Sequence, residues 1–158
     1  MLLKRRQAVI KRIAGLVNRN NPKNVFVRDV RRSYPSCRFL GEGINRRVYS
    51  LPCGMVLKID DCSDDQNAVE LRVYRRRKWR PYLPVIYEHL ENDFFDVLIS
   101  QRVHIIERRM PRRYKRQFRF LQHTFDDAWY GNVGWAQEGR RRRLLLADAG
   151  LGIYGESN

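Results

Sequence analysis

Residues 40–60 read LGEGINRRVYSLPCGMVLKID, and no other run narrows the fold as far. β-Branched and aromatic residues recur between glycine and proline breaks, which predicts an antiparallel meander with strands over 37–41, 46–51 and 55–59. The third of these is apolar except for Lys58. Burying an unpaired ammonium costs several kcal/mol or forces it to neutralise, so an anionic neighbour is expected beside that lysine.

The whole chain has 158 residues, enough for one domain or two small lobes. Hydrophobic residues make up 43%, which argues against a disordered polymer. The 32 Lys and Arg against 17 Asp and Glu give a formal charge of +15, which favours anionic partners: nucleic acid, nucleotide, an acidic protein or an anionic membrane. Cys37, Cys53 and Cys62 form no C-x-x-C pair, and their odd number suits neither a disulfide framework nor a zinc site. A cytoplasmic location is expected. The start MLLKRRQAVIKRIAGLV lacks the continuous apolar core of a signal peptide, and no stretch approaches the ~18 apolar residues of a membrane span.

That start places Leu3, Ala8, Val9, Ile10, Ile13, Leu16 and Val17 near one helical stripe and Lys4, Arg5, Arg6, Lys11 and Arg12 on the other side. It reads as a basic amphipathic helix packed on the domain, with membrane or nucleic-acid contact as the alternatives. Residues 1–36 are read as this helix and a linker, because NRNNPKN from Asn18 is rich in turn formers. After the meander, DDCSDDQN supplies capping residues for a helix over AVELRVYRRRKW, which Pro81 and Pro84 stop. Strands are expected in LPVIYEHL and FFDVLISQRV, then one helix, a loop and a short strand.

Several polar residues follow one another at telling positions. Gly41 and Gly43 precede Lys58 in a hairpin, where glycines admit backbone N–H groups to phosphates and a lysine adds charge. Glu70 lies on the inward side of the next helix, where a carboxylate would hold that lysine. DVLISQRV is apolar enough to line an adenine pocket. Asp127 stands five residues before Asn132 in FDDAWYGN, and Asp148 closes the apolar run LLLADAG. A carboxylate can accept a proton from an attacking hydroxyl, while an amide oxygen and a second carboxylate suit Mg²⁺.

This ordered set resembles the protein kinase superfamily: LGEGINRRVYSL is similar to its glycine-rich loop, MVLKID to its V-A-I-K strand, DDAWYGN to its catalytic loop D-x-x-x-x-N, and DAG to D-F-G. LPVIYEHL and the GNVGW loop look most like small kinase-like proteins of bacteriophages. The resemblance implies an α+β, minimal bilobal kinase-like fold, with an antiparallel N-lobe and C helix over 37–103 and an abbreviated, mostly helical C-lobe over 104–158. It implies that Gly41, Gly43 and Val48 cover the nucleotide and that backbone atoms of Ser100, Gln101 and Arg102 hold adenine. Lys58, paired with Glu70, would contact the α- and β-phosphates of ATP. Asp127 would be the base, and Asn132 and Asp148 the Mg²⁺ ligands. Transfer of the γ-phosphate to a hydroxyl, first of all Ser or Thr of a protein, is the expected activity.

The departures are specific. Arg46 stands at the third glycine, where it would crowd or clamp phosphates; Phe125 and Asp126 precede the base; Ala149 replaces phenylalanine. Eight residues follow Gly150, so no activation segment or helical peptide platform is expected within 151–158. Three consequences stay open: an unusual acceptor mode, self-modification, or nucleotide binding alone, as in a pseudokinase that captures an acidic host protein. His89, His104 and His123 lack metal-ligand spacing and are read as surface or packing residues. The arginine blocks 75–77, 112–116 and 140–143 read as solvated faces able to recruit an acidic protein or nucleic acid.

Overall fold

The fold comes from a computed structural model, which describes residues 1–42, 46–61, 66–106, 110–125, 128–138 and 141–148. It is α+β: the described residues form four α-helices and two antiparallel sheets. The chain divides into two compact units, one of residues 1–67 and 86–101, the other of 68–85 and 102–158. The residues read as an N-terminal helix and linker thus group with the first sheet, and the division crosses the helix that follows it.

The first unit is built on the five-stranded sheet β1 (Phe39–Glu42), β2 (Arg46–Leu51), β3 (Met55–Asp61), β4 (Ile86–Glu91) and β5 (Phe95–Gln101), in the order β1-β2-β3-β5-β4. β3 is central, with Lys58 opposite Val48 on β2 and Leu98 on β5. Because side chains alternate along a strand, Met55, Leu57 and Ile59 share one face with Tyr49, Leu51, Phe95, Val97 and Ile99. That face packs against Val9, Ile13, Leu16 and Val17 of α1 (Leu2–Val17) and Phe26 and Val30 of α2 (Lys23–Ser33). Four members of the stripe seen in the sequence therefore form the inner face of α1, with Ile10 half-buried beside them, whereas Leu3 and Ala8 are exposed.

α2 lies within the expected linker. Pro22 is its N-cap, and Phe26 and Val30, four residues apart, bury one side, so packing overrides a β-branched, charge-rich sequence with little helix propensity of its own. The end of α1 is fastened by Asn92 in the β4–β5 turn. Its side-chain oxygen accepts the N–H groups of Phe94 and Phe95, and its amide donates to the carbonyls of Val17 and Asn21.

The second unit holds most of α3 (Gln66–Arg75), α4 (Lys115–Thr124) and a sheet of β6 (His104–Ile105), β7 (Val133–Glu138) and β8 (Arg141–Leu146), in that order. Its core joins Val69 and Val73 of α3, Phe118 and Leu121 of α4, and Val133, Leu144 and Leu146 of the sheet. β7 occupies part of the run read as a loop, so this unit is less helical than expected. Two glycines give GNVGW its loop-like look, but Gly134 pairs with Ile105, and a Cβ there would sit 2.3 Å from the carbonyl oxygen of His104. The close approach of β6 requires that glycine.

Candidate functional site

Within the first unit, the sheet face opposite the apolar core carries the unusual chemistry. Directly opposed residues share a face, so Arg46, Val48 and Ser50 of β2, Val56, Lys58 and Asp60 of β3, and Asp96, Leu98 and Ser100 of β5 lie together. Lys58 is only 4% exposed. The anionic neighbours expected of it exist on this face: Asp60 is two residues along the same strand, and Asp96 is opposite Asp60.

Asn67, in the first turn of α3 and wholly buried, joins these groups. It accepts a hydrogen bond from Nη1 of Arg46 at 3.2 Å and donates from Nδ2 to Oδ1 of Asp96 and, at 3.4 Å, to the carbonyl of Lys58. Its backbone N–H donates to Oδ2 of Asp60 at 3.1 Å, so a carboxylate from the sheet caps the start of the helix. His89, read as a packing residue, places Nε2 3.3 Å from the other oxygen of Asp96. Burial pushes the Asp60 carboxyl above its ordinary value. The Asp96 charge pushes the same way, against the Asn67 N–H and the Arg46 guanidinium.

Arg46 was the notable departure in the glycine-rich run, and its side chain is 2% exposed and engaged with Asn67 at the base of α3. Gly41 lies opposite Val48, and a Cβ there would meet nothing within 4 Å among the described residues, so their packing does not demand glycine. Gly43 lies outside the described residues. Ser100 is fully buried, and its hydroxyl has no hydrogen-bond partner among the described residues. Gln101 is opposite Met55 and therefore on the other face, leaving its backbone as the part relevant to a ligand on the Lys58 side. Arg102, half-buried, begins the next segment of the second unit.

In the second unit, Glu70 is 2% exposed on α3. Asn132 ends a short 3-10 turn before β7, and Asp148 follows β8 by two residues. The β7–β8 pairing brings them together: the N–H of Ala147 donates to the Asn132 carbonyl at 2.7 Å, and Nδ2 of Asn132 donates to the Asp148 carbonyl at 2.9 Å. That second bond engages the amide nitrogen with the Asp148 backbone. An amide oxygen and a carboxylate are donor types that Mg²⁺ prefers. Asp127 lies outside the described residues. Among those described, no three or more His, Cys, Asp or Glu residues cluster as a metal site.

Asn67 and Asp60 were not singled out in the sequence, although the alternation in VLKID already put Asp60 on the Lys58 face. No protein-family model matches the chain, and no curated protein matches it. No helix among the described residues is long and apolar enough to cross a membrane.

Proposed function

We propose that this chain is an ATP-dependent phosphotransferase of protein kinase-like type, with the first unit as N-lobe and the second as an abbreviated C-lobe. The observation that carries the reading is a lysine buried in the central strand of an antiparallel sheet, followed by a helix that bears a buried glutamate. A structural ion pair would account for either residue alone. It would not account for Gly41 beside Val48 with no described residue within 4 Å of a Cβ, for a buried Ser100 hydroxyl with no partner among the described residues, or for Asn132 fastened to the backbone of Asp148.

In this reading Lys58 neutralises the α- and β-phosphates and Glu70 orients its ammonium. Gly41 and Gly43 admit the phosphates, and the 100–102 backbone takes the adenine edge. Asn132 and Asp148 hold Mg²⁺, which supplies charge neutralisation on the phosphate oxygens when bound. Asp127 accepts the acceptor hydroxyl's proton as its oxygen bonds to the γ-phosphorus, and the bond from that phosphorus to the bridging oxygen breaks to release ADP. Positioning and charge do most of this work. The acceptor is a hydroxyl, first of all Ser or Thr of a protein.

The test is incubation with Mg²⁺ and γ-labelled ATP, alone and with cell lysate, beside Asp148→Ala. Label on this chain or on lysate proteins that vanishes in the variant supports the reading. Absence of label with intact ATP-dependent thermal stabilisation turns it to a nucleotide-binding pseudokinase, and absence of both overturns it.

A further inference from the structure

We propose that the outward face of α1 binds the phosphate backbone of a nucleic-acid duplex. The proposal stands independently of the phosphotransferase reading. With Val9, Ile13, Leu16 and Val17 turned into the core, Lys4, Ala8, Lys11 and Gly15 fall on the opposite side of the helix, Arg5 and Arg12 lie on the flank beside them, and Arg19 stands just past the helix end. Lys4 and Lys11 form one row, and Arg5 and Arg12 a second; each pair is seven residues apart, about 10.5 Å along the axis, and Arg19 follows in the turn after the helix.

All five cations are exposed, and no carboxylate among the described residues pairs with Lys4, Arg5, Lys11 or Arg12. Arg19 reaches Asp29 only at 3.7 Å and from a largely exposed position, a weak contact. Arg6, by contrast, is committed to the fold, with Nε on the Cys53 carbonyl and its guanidinium over the Tyr87 ring. α2, packed against α1, adds exposed Arg28, Arg31 and Arg32.

The character of the face selects the partner. A bilayer would need a continuous apolar stripe along the helix; the core has taken Val9, Ile13, Leu16 and Val17 of it, and only Leu2 and Leu3 in the first turn stay exposed. Protein interfaces are built around aromatic, Met and aliphatic side chains, and this face has only Ala8 and Gly15 between its two rows. Single-stranded nucleic acid is held by aromatic stacking platforms, and none stands on this face. A duplex backbone is recognised by charge alone, and charge is what the face offers. Alongside the rows lies a concavity of about 410 Å³ lined by Ala8, Lys11, Arg12, Gly15, Leu16 and Arg19. A Cβ on Gly15 would meet nothing within 4 Å, so the core does not require a glycine that weakens the helix.

The experiment is fluorescence anisotropy of the full chain with a 20-base-pair duplex of arbitrary sequence, from 50 to 200 mM salt. Five phosphate contacts predict a slope of log K on log salt of about −4.5, or about five-hundredfold weaker binding across that range. Replacing Lys4, Arg5, Lys11 and Arg12 by Gln, which keeps helix propensity, reduces the slope by about 3.6. The control replaces Arg112, Lys115, Arg116 and Arg119, an exposed set of equal charge in the second unit, and leaves slope and affinity within twofold of the parent. Gly15→Glu, which puts a carboxylate between the rows without a clash, weakens binding without lowering thermal stability, so the test survives a misfolded quadruple variant. Equal losses in the α1 and control variants would mean a response to net charge only and would overturn the proposal. So would tighter binding to poly-glutamate than to the duplex at matched salt, which would assign the face to an acidic polypeptide.

Discussion

Asn67→Ala strikes the point where α3 starts on the first sheet. The substitution deletes an acceptor for Arg46 and a donor to Asp96, both hydrogen bonds to charged groups, and leaves the backbone bond to Asp60 in place. Hydrogen bonds to charged groups contribute about 1.5–3 kcal/mol each, so losing two sets a range of about 3–6 kcal/mol. His89 still serves Asp96, which moves the expectation to the low end, about 3–4 kcal/mol. That is a large share of the roughly 5–15 kcal/mol that holds a native protein together, and for a chain of this size it lowers Tm by about 10 °C. Thermal unfolding followed by circular dichroism at pH 7 measures it. A double-mutant cycle with Asp96→Ala should return an interaction energy of at least about 1 kcal/mol, because the two residues share a buried network. A fall in Tm under about 3 °C, or strict additivity with Asp96→Ala, would refute the claim that Asn67 ties the helix start to the sheet.

Further outcomes follow from other residues. Asp60 has its folded carboxyl raised above 3.8, so the folded state holds the proton more tightly than the unfolded chain. Its contribution is fully present below that value and lost as pH rises through the folded value. The unfolding free energy of the parent minus that of Asp60→Asn should therefore fall from pH 3 upward and then level off; a difference that grows with pH contradicts the assignment. Gly134→Ala drives a Cβ into the His104 carbonyl and should cost about 1–3 kcal/mol of stability, read by denaturant unfolding, with no effect meaning that β6 moves aside freely. Lys58→Ala should remove most of the thermal stabilisation that Mg-ATP gives the parent; an unchanged shift would release Lys58 from any phosphate role.

Much of the first sheet was legible in the sequence because its cues are local. Glycine and proline breaks bound β1 to β3, and the period-two pattern of MVLKID gave the central strand its two faces. α1 was legible for the same reason, its stripe being long and regular. α2 was not, because Phe26 and Val30 form a short stripe in a charged segment, and only the core they enter makes it a helix. β7 escaped because its glycines, which signal loops locally, serve a close strand approach set by residues 30 positions away.

The candidate site divides along the same line. Lys58, Glu70, Asn132 and Asp148 were singled out from type and order alone, and in the fold Nδ2 of Asn132 donates to the Asp148 carbonyl. The network of Arg46, Asn67, Asp60 and Asp96 was missed, since it exists only once β2, β3, β5 and the start of α3 are brought together. Arg46 shows the limit of motif reading most plainly: in the linear pattern it is a misplaced glycine, and in the fold it is a buried partner of Asn67.

The central claim is that this chain transfers phosphate and that Asp127 is the base. It is tested most directly by measuring label transfer from γ-labelled Mg-ATP and nucleotide affinity side by side for the parent chain and Asp127→Asn. The account predicts transfer reduced by at least a hundredfold, the scale of general-base catalysis, with affinity within about threefold of the parent. Full transfer by the variant would contradict it.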